Sequence, residues 1–147
     1  MNTQLTTTEI NTFRNMLRNY DPAQEALAAL EEQDGRMEAS FDQLWIEKNG
    51  QPPDMPGGKS LWQVTLSELR KEVCGDEGVR SQIKEYSKNP GSAPLLTGLI
   101  VSLVGLAAAH GLPLDPAIAT IVVLYILKIG LNIFCEYTEP PSDKSDS

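Results

Sequence analysis

Apolar and polar positions divide this chain into two unlike parts. Before residue 88, apolar residues recur every three or four positions among charged neighbours, the spacing of amphipathic helices that each bury one stripe. From Ala93 to Cys135 that alternation stops. The stretch APLLTGLIVSLVGLAAAHGLPLDPAIATIVVLYILKIGLNIFC holds two long apolar runs and, as formal charges, only Asp115 and Lys128. The runs at residues 93–109 and 117–134 lie at the lower end of the roughly 17 to 25 residues that a helix needs to cross a hydrocarbon core. Between them, GLPLDP reads as a compact turn. The pattern predicts a two-helix transmembrane hairpin over residues 89–135, whose backbone hydrogen bonds are satisfied within its own helices. Two other placements fit the same runs: the buried core of a soluble helical protein, or a hairpin sheltered in the folded chain and released into a membrane on activation.

The polar part reads as helices throughout. Thr6 and Glu9 have the spacing of a capping box, and Ile10, Phe13, Leu17 and Tyr20 follow as one stripe. Asp21-Pro22 ends this helix and starts the next, with Asp as N-cap. Over residues 22–48, Ala23, Leu27, Leu30, Met37, Phe41, Leu44 and Trp45 keep a near-heptad rhythm that Asp34 breaks, so a hinge is expected at Gln33-Asp34-Gly35. That stripe predicts packing against the first helix or a coiled-coil assembly surface. NGQPPDMPGGK, residues 49–59, is a loop. Gly58-Lys59-Ser60 imitates the end of a phosphate-binding loop, but Pro53 stands where the motif needs glycine. Ser60 reads better as an N-cap with Gln63 as its capping-box partner. Further helices are expected over residues 61–73, with Trp62, Leu66, Leu69 and Val73 inward, and 77–88, with Val79, Ile83 and Tyr86 inward.

The fold class expected is therefore all-α: an N-terminal acidic helical bundle (residues 1–88), a transmembrane helical hairpin (89–135) and a disordered acidic tail (136–147). Within the hairpin, Gly98, Ser102, Gly105 and Ala109 line small residues along one face. In lipid, such spacing lets helices approach closely, so the stripe predicts packing on the second run or between protomers. Lys128 and Asn132, with Thr120, Tyr125 and Cys135 nearby by helical spacing, form an incomplete intramembrane polar stripe. A lysine there faces protein or water, or snorkels to the interface. The hairpin turn carries His110, Asp115 and Pro116, with Asp115-Pro116 capping the second run.

Charge narrows the function. With 20 Asp and Glu against 12 Lys and Arg, net charge is −8, which argues against a nucleic-acid partner. Arg80, Lys84 and Lys88 precede the hairpin and its turn has no basic residue, so both termini are expected on the cytoplasmic side of an inner membrane. The N-terminus shows no secretory signal pattern. Cys74 and Cys135 are too few for a redox or zinc motif and read as free thiols in a reducing compartment. His110 has no nucleophile beside it in sequence. No catalytic, cofactor-binding or metal-ligating set is predicted. The expected function is a small, non-enzymatic, bacterial-type membrane effector: its helical domain binds a protein partner or forms a homo-oligomer, and its hairpin meets membrane lipid and perturbs or permeabilises it. The alternative is a passive membrane anchor or scaffold for a partner protein.

Overall fold

The computed structural model describes residues 4–51, 60–75, 77–112 and 114–137. The imitation phosphate loop at Gly58-Lys59 and the tail from residue 138 onward lie outside them. Eight helices and no strand occur among the described residues: α1 (Thr7–Met16), α2 (Asp21–Glu32), α3 (Met37–Asn49), α4 (Leu61–Gly75), α5 (Glu77–Lys88), α6 (Ala93–Ala109), α7 (Pro116–Ile129) and α8 (Leu131–Tyr137).

Local signals set most of the helix ends. In α1 the Thr6 side chain accepts from the Glu9 backbone N–H while the Glu9 carboxylate accepts from the Thr6 N–H at 2.9 Å, so two otherwise unpaired donors are satisfied reciprocally. Ser60 and Gln63 repeat the arrangement at α4, at 3.1 Å in both directions. The break between α2 and α3 falls where it was expected, with Asp34 at φ 58° and Gly35 at φ 84°. Gly35 is required for a second reason. Its N–H donates to the Leu30 carbonyl and its own carbonyl accepts from the Leu5 N–H at 2.9 Å, and a Cβ at Gly35 would lie 2.0 Å from the Leu5 carbonyl oxygen. One local expectation needs correction: Tyr20, not Asp21, is the N-cap of α2, and Asp21 and Pro22 are its first helical residues.

The larger correction concerns the hairpin. No helix among the described residues is long and apolar enough to cross a membrane, so the transmembrane hairpin expected from the sequence has no support in this structure. At 1.5 Å per residue α6 and α7 reach about 26 and 21 Å, short of a hydrocarbon core of about 30 Å. Gly130, at φ 93°, stops α7 before the apolar run ends. Instead α7 is the central helix of the bundle. Every residue from Ala117 to Ile126 is buried, and α2, α3, α6 and α8 surround it. Residues from both sides of position 88 join one core, including Leu27, Leu30, Phe41, Leu44 and Leu69 with Leu99, Leu103, Ile121 and Leu124. Each such side chain removed from water contributes about 1.5–3 kcal/mol.

Candidate functional site

The region that sets this chain apart from an ordinary bundle is the hairpin and what holds it. Asp115 caps α7 by accepting from the Ala117 N–H at 2.7 Å. The same carboxylate lies 3.7 Å from the Lys48 ammonium at the end of α3, which also pairs with Glu25 of α2 at 2.8 Å. The start of α7 is therefore tied to the helices that wrap it. Glu25, then Asp115, hold the Lys48 ammonium above its ordinary range. Pro116 opens the helix at a position that needs no N–H.

At the other end of α7, Lys128 reaches Glu9 of α1, with its Nζ 2.9 Å from both carboxylate oxygens. Partial burial of Glu9 works against its ionisation. The Thr6 N–H and Lys128 outweigh that, and the carboxyl is held below its ordinary value. Lys128 thus meets a counter-ion 119 residues away in the chain. Asn132 is exposed on α8, beyond the Gly130 break, so the polar stripe expected over Thr120, Tyr125, Lys128, Asn132 and Cys135 is interrupted. Thr120 is buried and donates to the Pro116 carbonyl at 2.8 Å.

His110 caps the end of α6 and its Nε2 lies 2.7 Å from a Glu72 carboxylate oxygen of α4. Sequence spacing showed no partner for it, because the partner comes from another helix. Among the described residues no group of three His, Cys, Asp or Glu could hold a metal ion.

The small residues are placed differently from the expectation of packing on the second run. It is the opposite face of α6, with Leu96, Leu99, Ile100, Leu103 and Ala107, that enters the core. A Cβ added at Gly98 or Gly105 would meet nothing within 4 Å. Gly98 and Ser102 are half-exposed, Gly105 and Ala109 are exposed, and Val101 between them is 55 % exposed. The outward side of α6, from Pro94 to Ala109, therefore carries no charge although water reaches it.

Cys74 and Cys135 form a disulfide that ties the end of α4 to α8, which corrects the expectation of free thiols and removes the compartment argument built on them. Beside it, ring contacts run from Phe41 to Trp62, Trp62 to Tyr125 and Tyr125 to Phe134, with centroids 5.1, 5.0 and 6.4 Å apart, linking α3, α4, α7 and α8. Phe134 is fully buried. Nothing in the sequence pointed to this pairing, since 61 positions separate the cysteines. Comparison with protein families, curated proteins and solved structures finds no match for this chain.

Proposed function

We propose that this chain is a conditional membrane effector that keeps its apolar hairpin sheltered until it meets a lipid surface. α6 makes the first contact, and α7 stays in the core until the bundle opens. The observation that carries the reading is the pairing of an inner helix buried all round from Ala117 to Ile126 with an outer helix that is uncharged on its water-facing side. Packing requires the first. It does not require the second, because outer helices ordinarily place charges on their solvent side. Uncharged exposed surface is a recurrent mark of contact sites.

Lipid is favoured as the occupant by the distribution of charge. In a chain with 20 acidic residues, none stands between Glu85 and Asp115, while Arg80 and Lys84 precede that gap and Lys88 lies at its start. An anionic bilayer attracts basic residues flanking an apolar face and repels carboxylates within it. A second reading, in which two copies pair through α6, draws on the open space at Gly98 and Gly105, which permits close helix approach.

The test is flotation of the full chain with vesicles of equal phosphatidylglycerol and phosphatidylcholine. The parent protein is expected to float with the vesicles, and Val101→Glu with Gly105→Glu to stay behind while retaining the helical content of the parent. Equal behaviour of parent and variant would exclude α6 as the contact. A dimer in lipid-free sizing, lost in the same variant, would favour the second reading.

A further inference from the structure

The disulfide and the break at Gly130 act on the same short helix. α8 is folded back from α7 at one residue, Gly130, which has φ 93° and ψ 147°. The hydrogen bonds on either side of that residue already have the helical four-residue step. The Gly130 N–H donates to the Ile126 carbonyl at 2.8 Å, and the Phe134 N–H donates to the Gly130 carbonyl at 2.9 Å. Rotation of one glycine, the residue for which both conformations are accessible, would therefore continue α7 into α8. The joined helix, residues 116–137, would be about 33 Å long at 1.5 Å per residue, whereas neither part alone reaches the roughly 30 Å of a hydrocarbon core. In it, Lys128, Asn132 and Glu136 would stand four residues apart on one side. Two contacts prevent the joining: the buried Phe134 ring against Tyr125 and the covalent bond from Cys135 to Cys74 of α4. Both cysteines are half-buried.

We infer that the Cys74–Cys135 disulfide is a redox-sensitive clasp, and that its reduction by a dithiol frees α8 to join α7 as one bilayer-length helix in an apolar environment. In the exchange, a thiolate of the reductant attacks one sulfur and forms a mixed disulfide. The second thiol of the reductant then displaces the cysteine, and the reductant leaves as its own disulfide. The two electrons and two protons it gives up appear as the Cys74 and Cys135 thiols. The inference rests on the sheltered-hairpin reading for its purpose, but its geometry is tested separately.

In the folded-back chain the N–H groups of Leu131, Asn132 and Ile133 belong to the first turn of α8, which its own carbonyls cannot satisfy. In the joined helix they bond to the carbonyls of Leu127, Lys128 and Ile129. Hydrogen exchange of the full chain in dodecylphosphocholine micelles, with and without dithiothreitol, distinguishes the two. Exchange at these three amides is expected to slow at least about tenfold on reduction. The Cys74→Ser, Cys135→Ser double variant should show the same slowing without reductant. Unchanged exchange, or faster exchange throughout α8 as simple loosening would produce, overturns the clasp. Flotation of the oxidised chain reports on α6 alone. A chain that floats without the slowing keeps the membrane reading and loses the clasp, and one that shows the slowing without floating keeps the clasp and loses the α6 contact.

Discussion

α6 and α7 are alike in composition and opposite in placement. Each is an apolar helix opened by a proline near its start and a side-chain cap, Ser92 for one and Asp115 for the other. Yet α7 is buried from Ala117 to Ile126, while α6 buries one side and turns Val101, Gly105 and Ala108 to water. The difference teaches that uniform apolarity has two meanings in one chain. For α7 it is what a central helix must have. For α6 it exceeds what packing asks for, and the excess is where function is sought.

The sharpest way to break that contrast is to charge both helices. Ile121→Asp would bury a carboxylate among α7's neighbours and should cost more than about 4 kcal/mol in urea unfolding, enough to abolish a cooperative transition. Val101→Asp on the exposed side of α6 should stay within about 0.5 kcal/mol of the parent. Comparable losses at both sites would mean that α6 is covered in solution.

Next in size is the disulfide. Opening a cross-link between residues 61 positions apart should lower stability by about 4 kcal/mol, since the unfolded chain regains loop entropy. Urea midpoints with and without dithiothreitol measure it. A shift below about 1 kcal/mol would show that α8 is held by Phe134 rather than by the bond.

Smaller effects separate the ends of the hairpin from its exposed side. Asp115→Ala removes the α7 cap and should cost about 1 kcal/mol. Gly105→Ala should do the opposite and stabilise by about 0.5–1 kcal/mol, because the added methyl meets no neighbour and glycine is a poor helix former. A destabilising Gly105→Ala would argue for a close partner on that side.

The smallest expected effects are those of pH. Glu9 is held below its ordinary 4.5, so its contribution is full above that value and is lost as pH falls through the lower folded-state value. Glu9→Gln should flatten the acid limb of the stability profile. Asp42 behaves in the reverse sense. Burial first, and Glu38 second, raise its carboxyl above 3.8, so folding is favoured at low pH and that advantage is lost as pH rises through the folded-state value. Asp42→Asn should therefore stabilise the protein at pH 7, and a thermal shift to lower temperature would contradict this.

Much of the fold was readable from residues close in sequence. The Thr6–Glu9 and Ser60–Gln63 boxes, the turn at Asp34-Gly35 and the Asp115 cap each act within one helical turn, so their chemistry is complete in a few adjacent letters. The candidate site was readable only in part. Gly98, Ser102, Gly105 and Ala109 were recognisable as a small-residue stripe, but not the side of α6 on which neighbours would be absent. Lys128 was recognisable as a costly charge in an apolar run, but not Glu9 as the group that meets it.

By itself, then, the sequence determined the helical class, most helix starts to within a residue or two, and the existence of an apolar hairpin, because side-chain period and capping are local properties; the ends of α1 and α7, at Met16 and Ile129, fall four and five residues short of the expected Tyr20 and Phe134. Tertiary structure decided which apolar helix lies at the centre, that Cys74 meets Cys135, that His110 meets Glu72, and that Gly130 folds α8 back rather than extending α7. Those outcomes depend on how elements 38 to 119 positions apart settle around one core. Two apolar runs of nearly equal character leave that choice to packing alone.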